Sequence, residues 1–202
     1  YHGDSRSGTT VWSLLWASTA GHDVEGINID EERDVIWTLS SGSSSAVELV
    51  CIDIDASSST YGQLIAETTG LYNNGPLQKW AMSPDGNTAV VAKILSDSLF
   101  VYDLNPASST FLQNSQILDV PAHNSSMLHL VTNVKYSSDG SELFAAVQHA
   151  GVENSEIGRY DVAAGVWIDH NPNVFGVQCL GDMSDPVLLT GSGAYGMDIS
   201  DD

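Results

Sequence analysis

Trp80-Ala81-Met82-Ser83-Pro84-Asp85-Gly86-Asn87 runs into Ala89-Val90-Val91-Ala92, and Val101-Tyr102-Asp103-Leu104 follows. The apolar runs have strand length, are rich in Val, Ala, Trp and Tyr, and lack helical periodicity. Between the first two lies a tight acidic turn. Pro84 presets its own φ, Asp85 bonds nearby backbone, and Gly86 takes the positive φ that closes a hairpin. After loop residues at 105–110, a further short strand is predicted at 116–120. The stretch reads as four antiparallel strands.

Both of its elements recur. An apolar or aromatic residue, Asp, then an aliphatic appears as Ile52-Asp53-Ile54, Tyr102-Asp103-Leu104, Tyr160-Asp161-Val162 and Met197-Asp198-Ile199. A strand, an acidic turn and a second strand precede the first three. These are 27–34 running into Val35-Ile36-Trp37, the quoted stretch, and Val134-Lys135-Tyr136-Ser137-Ser138-Asp139-Gly140 running into Leu143-Phe144-Ala145-Ala146. A degenerate fourth copy spans 177–180, a turn at 182–186, and Val187-Leu188-Leu189. Outer strands are predicted at 63–67, 116–120 and 166–169. Four strands in about 40–55 residues is the size of one propeller blade. A two-sheet sandwich explains the alternation but not the fourfold recurrence. The expected fold is all-β, a β-propeller of about four blades with four antiparallel strands each.

Residues 22–73, 74–131 and 132–173 are read as full blades and 174–202 as a partial one. The strand at 9–18 then serves as the closing strand of a single domain spanning 1–202, because propellers hide sheet edges in this way. Three assemblies fit: a closed four-bladed ring, a piece of a larger ring, or two copies joined into one ring. The chain begins at Tyr1, without an initiator methionine or a signal peptide, so it is expected to be a processed chain or a piece of something longer.

Twenty-six acidic residues stand against six basic ones in 202 residues, a formal net charge of −20. That field repels phosphate backbones and anionic headgroups, which argues against nucleic acid and the membrane surface as partners. It favours cations and basic partners. Few Lys and Arg with many Ser and Thr suits an extracellular or cell-surface location. No run approaches the 18 apolar residues of a membrane-spanning helix, so no membrane insertion is expected. Cys51 and Cys179 lack any C-x-x-C spacing and read as two buried thiols, with a disulfide as the alternative.

The turn and strand motifs resemble the YVTN-type and WD40-like propeller repeats, whose blades carry an S-P-D-G turn, an apolar strand and then V-Y-D-L. Residues 83–86 with Val101-Tyr102-Asp103-Leu104 match closely, and 137–140 with Tyr160-Asp161-Val162 nearly as well. The first copy departs, with Asp30-Glu31-Glu32-Arg33-Asp34 in place of the turn, and the last lacks the turn's sequence. The resemblance covers about residues 22–200. It implies the fold and leaves function open among lactonase-like enzymes, surface-layer proteins and interaction scaffolds.

Chemistry-bearing residues are sparse. His2, His22, His123, His129, His149 and His170 form no H-x-H or H-E-x-x-H set. They read as surface or turn histidines, although His123, His129 and His149 fall near one another if they share a rim, where zinc or copper would suit them. Calcium is the alternative ion. Asp53-Ile54-Asp55 reads as two carboxylates on one strand face, 30–34 holds four acids, and Asp201-Asp202 ends the chain, yet no D-x-D-x-D-G loop is present. The repeated Asp of the second element reads as structural, because a catalytic residue would occur once. No G-x-S-x-G elbow exists, and Gly191-Ser192-Gly193 reads as a hairpin. Asn124-Ser125-Ser126 is a glycosylation sequon. Trp12, Trp37, Trp80 and Trp167 fall in strands and are expected in the core, unlike Trp16; an exposed sugar-binding platform is the sharper alternative. No catalytic, cofactor-binding or metal residue is assigned. The expected function is a non-catalytic module presenting loops to a protein or polysaccharide, with a homo-oligomer completing the ring as one form. The alternative is a lactonase- or hydrolase-like enzyme, with a metal or acid pair at the channel mouth near Asp30, His129, Asn133 and Asp182.

Overall fold

Turns decide where strands begin in this chain, so the architecture follows from them. The computed structural model describes residues 2–4, 11–13, 22–42, 48–68, 79–92, 98–120, 129–149, 154–168 and 189–190. Among these, the elements in order are β1 (His2–Asp4), β2 (Val11–Ser13), β3 (His22–Asp30), β4 (Val35–Gly42), β5 (Glu48–Asp53), β6 (Leu64–Glu67), β7 (Lys79–Met82), β8 (Thr88–Ala92), β9 (Ser98–Asp103), β10 (Asn114–Asp119), β11 (His129–Tyr136), β12 (Glu142–His149), β13 (Asn154–Asp161), β14 (Val166–Trp167) and β15 (Leu189–Thr190). No described helix is long and apolar enough to cross a membrane. The chain falls into two compact units, residues 1–76 and 77–202.

The first unit holds the hairpin β1–β2 and the four-stranded meander β3-β4-β5-β6; the second holds β7-β8-β9-β10 and β11-β12-β13-β14. Each meander is the blade expected from the repeat. The outer strands differ slightly: β10 begins two residues earlier than expected and β14 is only two residues long. Of the expected closing strand at 9–18, residues 11–13 are described, and they pair with β1, with Trp12 opposite Gly3. Leu189, expected in a sheet of its own, pairs with the third blade, where β15 lies against Asn154 and Ser155 of β13. The physical reason is an open edge: β14 covers only Tyr160 and Asp161 of that strand, and bare ladder groups recruit another strand. The rest of 174–188 and 191–202, with Met197-Asp198-Ile199, lies outside the described residues.

Packing within the second unit is explicit. The face of the second blade bearing Ala81, Val90, Val101, Ala92 and Leu99 meets the face of the third bearing Val134, Ala145, Tyr136, Leu143 and Val147. Leu99 and Leu143 are fully buried there, and each contributes about 1.5–3 kcal/mol by leaving water. Polar ties mark the same seam. The hydroxyls of Thr88 and Tyr136 lie 3.3 Å apart, and Gln116 Nε2 reaches Tyr160 Oη at 3.4 Å. On the outer rim, Trp167 Nε1 donates to the Asp119 carbonyl at 3.0 Å. Its ring meets Tyr160 edge-on at 5.2 Å and lies over Gly158. Trp37 and Trp80 are buried and Trp167 is partly buried against the core, as expected for core aromatics. The side chains of Trp12 and Trp16 lie outside the described residues.

Candidate functional site

The recurring acids are built from the turn upward. In the second blade Ser83 Oγ donates to Asp85 Oδ1 (2.6 Å) and accepts the Thr88 amide (2.9 Å), while Gly86 closes the turn at φ 68°. Asp85 then takes the Asn87 amide at 3.0 Å. The third blade repeats this atom for atom with Ser137, Asp139, Gly140 and Glu142. There Asp139 accepts the Ser141 amide and the Ser137 and Ser141 hydroxyls, which hold its carboxyl down at about 2. The first blade reaches the same hairpin differently. Asp30 accepts the Arg33 amide and pairs with its guanidinium at 2.7 Å, and Asp34 supplies the positive φ of 51°.

A second cluster follows each of the first two blades' third strands. Asp53 takes the Asp55 amide (2.8 Å) and the Thr60 hydroxyl (2.5 Å); Asp103 takes the Asn105 amide (2.9 Å) and the Thr110 hydroxyl (2.6 Å). The backbone bonds match too: Gly62 N to Asp53 O and Leu112 N to Asp103 O are both 2.8 Å. The two loops are copies of one design, D-x-[DN]-x-x-S-x-T-x-x-Q, offset by fifty residues. That signal was present in the sequence, but reading blade by blade passed over it. Both carboxyls are held below the usual carboxylate range, first by the hydroxyls of Ser58 and Ser108 and next by those of Thr60 and Thr110.

This geometry corrects one expectation. Asp53 and Asp55 do not share a strand face, because β5 ends at Asp53 and Asp55 opens the loop. Asp55 accepts the Ser57 amide and hydroxyl at 2.8 and 2.7 Å. In the second copy Asn105 performs the same task on the Ala107 amide at 3.0 Å. A neutral side chain suffices there, so the position serves the turn and not a charge-demanding ion.

The recurring elements also meet. The last turn residue offers its carbonyl to the aliphatic residue after the repeated Asp: Ile54 N to Asp34 O (2.9 Å), Leu104 N to Asn87 O (2.8 Å), Val162 N to Ser141 O (3.0 Å). Asp161 holds its own turn by accepting the Ala164 amide at 2.8 Å. The repeated Asp is structural in all three described blades, as read from its recurrence.

Two consequences are measurable. Leu112 sits at φ 64° where its counterpart is Gly62 at φ 74°, and a β-carbon is unfavourable in that region. Leu112→Gly is expected to stabilise the chain by about 0.5–1 kcal/mol in urea unfolding, and Gly62→Leu to cost about 1 kcal/mol. Asp139 has a folded pKa below its unfolded value, so the native state binds fewer protons. Its contribution is full above about pH 4 and is lost as pH falls toward 2. Asp139→Asn is therefore expected to flatten the fall in urea midpoint between pH 4 and pH 2 relative to the parent. Parallel curves would refute this.

The candidate mouth residues do not occupy matching positions. Asp30 ends its inner strand beside the turn, where the third blade has Ser137. His129 begins its inner strand, seven residues before Tyr136 and at the far end from the turn. By register its counterpart is His22: His22 stands opposite Gly42 and His129 opposite His149. The backbone thus brings His129 and His149 to one ladder rung. Asn133, one rung past the bulge in β11, gives its Oδ1 to the Val134 amide at 2.9 Å. His123, His170, Cys179, Asp182, the sequon at 124–126 and Gly191-Ser192-Gly193 lie outside the described residues, as do Asp201 and Asp202. Among the described residues no three His, Cys, Asp or Glu side chains gather around one point. Cys51 is a buried free thiol, pushed up to about 12 by burial and then by Asp30 and Asp53; a thiol so rarely ionised is a packing group, not a nucleophile.

No family model and no curated protein matches the chain. Solved structures do. Hydrazine synthase of Kuenenia stuttgartiensis superposes with TM-score 0.57 at 19% identity, over 83% of this chain and 41% of that one. The β-propeller domain of Swd1 from Myceliophteria thermophila gives 0.50 at 11%, over 77% and 42%. The periplasmic gluconolactonase of Pseudomonas aeruginosa gives 0.50 at 16%, over 72% and 39%. These likenesses establish the β-propeller fold. The chain spans about two fifths of the length of the solved chains it matches.

Proposed function

We propose that this chain is a non-catalytic, extracellular binding or scaffold module whose propeller loops engage a protein or polysaccharide. The observation that carries the reading is the use made of the recurring acids. Asp53, Asp103, Asp139 and Asp161 spend their lone pairs on amides and hydroxyls of their own turns. They serve as architecture repeated blade by blade. What remains for recognition is loop surface and a field of net charge −20, which concentrates basic partners and is screened by salt.

One observation favours a second reading. His129 and His149 share a rung, and imidazoles so placed suit zinc or copper, as an enzyme of the gluconolactonase type would use a metal at a mouth. Elemental analysis after dialysis, run beside a lactone-hydrolysis assay, separates the two. The module reading expects less than 0.1 metal per chain, as a rough bound, and no hydrolysis. It also expects binding to a basic protein or cationic polysaccharide that weakens as salt rises. Stoichiometric metal with hydrolysis lost on chelation would overturn it.

A further inference from the structure

The innermost strands of the blades carry equivalent positions, fixed by their register against the second strand. Ile29 pairs with Ile36 as Met82 pairs with Ala89 and Tyr136 with Leu143; Ile27 pairs with Thr38 as Trp80 with Val91 and Val134 with Ala145; Val24 pairs with Ser40 as Val131 with Val147. In the third blade these positions meet the preceding blade. Val131, Val134 and Tyr136 are 7%, 3% and 9% exposed and belong to the core shared with the second blade. Trp80, in the second blade, is 8% exposed. The first blade carries equally apolar residues at the same three places, yet Val24, Ile27 and Ile29 are 45%, 64% and 55% exposed.

Three aliphatics in a row on a strand with no solvent-facing polar substitute are unusual for a free sheet face. The pattern is that of an interface without its partner. What fits is defined by the same comparison: a four-stranded antiparallel blade presenting small and branched apolar residues, as the second blade presents Ala81, Val90, Val101 and Leu99 to the third. The chain covers 41% of hydrazine synthase and 42% of the Swd1 propeller, so two copies approach one full ring. Their six described blades fall inside the range of about four to eight found in propellers.

We propose that the face formed by Val24, Ile27 and Ile29 is a blade-docking surface, occupied by a blade of a second copy of this chain. The proposal is independent of what the loops bind. Because each copy carries net charge −20, association strengthens with salt, the reverse of the salt response expected for a basic partner.

Sedimentation of the whole chain from a few micromolar to several hundred micromolar, in low and in moderate salt, tests it. The expected result is a species of twice the 21.5 kDa chain mass, favoured by salt. In the double variant Ile27→Asp/Ile29→Asp its dissociation constant is expected to rise at least about tenfold, as for loss of interface anchors. Ile117→Asp, at an exposed residue of β10, is the control and leaves it unchanged. A second measurement does not depend on the double variant folding. With Ile27→Cys on a Cys179→Ser background, alkylation of the new thiol is expected to slow as protein concentration rises. A strict monomer at several hundred micromolar, a dimer indifferent to the double variant, or an alkylation rate independent of concentration would each overturn the proposal. A strict monomer would assign the face to a blade preceding it in a longer chain.

Discussion

Gly158→Val is expected to destabilise the chain by about 2–4 kcal/mol, read as a lower urea midpoint with little change in slope. Gly158 is buried in β13, and a β-carbon there would lie 3.0 Å from Trp167 Cζ3 and 3.2 Å from Cε3. The indole cannot simply swing away. Its Nε1–H is committed to the Asp119 carbonyl on the second blade, and its ring is braced edge-on against Tyr160. Relieving the clash therefore costs a hydrogen bond across the seam as well as ring contact. Shrinking the partner tests this account: Trp167→Leu alone is expected to destabilise, but Gly158→Val combined with Trp167→Leu should cost less than the two single changes summed, by at least about 1 kcal/mol. Strict additivity would show that Gly158 is intolerant for a reason other than the indole.

Trp37 carries the second large effect. It is 3% exposed in β4, with Cys51 directly opposite it in β5, and its Nε1–H has no hydrogen-bond partner. A buried, unpartnered donor costs about 1–3 kcal/mol, which the ring's apolar burial must offset. Trp37→Ala removes the burial and leaves a cavity, and about 3–5 kcal/mol is expected to go with it. Trp37→Phe keeps most of the apolar contact and deletes the stranded donor, so it is expected to fall within about 1 kcal/mol of the parent. Thermal and urea unfolding of both variants check the pair. If Trp37→Phe costs as much as Trp37→Ala, the N–H has a partner in solution.

The blade architecture was legible because each hairpin is written in local turn chemistry. Ser83-Pro84-Asp85-Gly86 and Ser137-Ser138-Asp139-Gly140 carry the residues that a tight turn needs wherever they occur, and their spacing gives the blade. The first blade was legible only from its flanking strands, because Asp30 with Arg33 and a left-handed Asp34 build the hairpin by another route. The partners of the recurring Asp were less visible. Asp53 reaches seven residues ahead to Thr60 and Asp103 seven ahead to Thr110, and such contacts emerge only when the two loops are laid over each other. The pairing of His129 with His149 was hidden for a different reason. It depends on the bulge between Val131 and Asn133, and the extra residue that makes a bulge changes every partner beyond it without leaving a motif.

The carbonyls of Asp34, Asn87 and Ser141, each received by the amide that follows the repeated Asp, carry a consequence for how such a chain can change over time. Each bond closes a circuit between a hairpin tip and the foot of the strand two places on, so the pieces it joins are measured against one another. The stretch enclosed, including the far hairpin between the second and third strands, lies outside that measurement. Insertions there lengthen a rim without disturbing the blade's gauge, whereas a single residue added between the turn and its strand would throw the foot off its mark. New surface can therefore accumulate at one end of every blade while the other end stays calibrated.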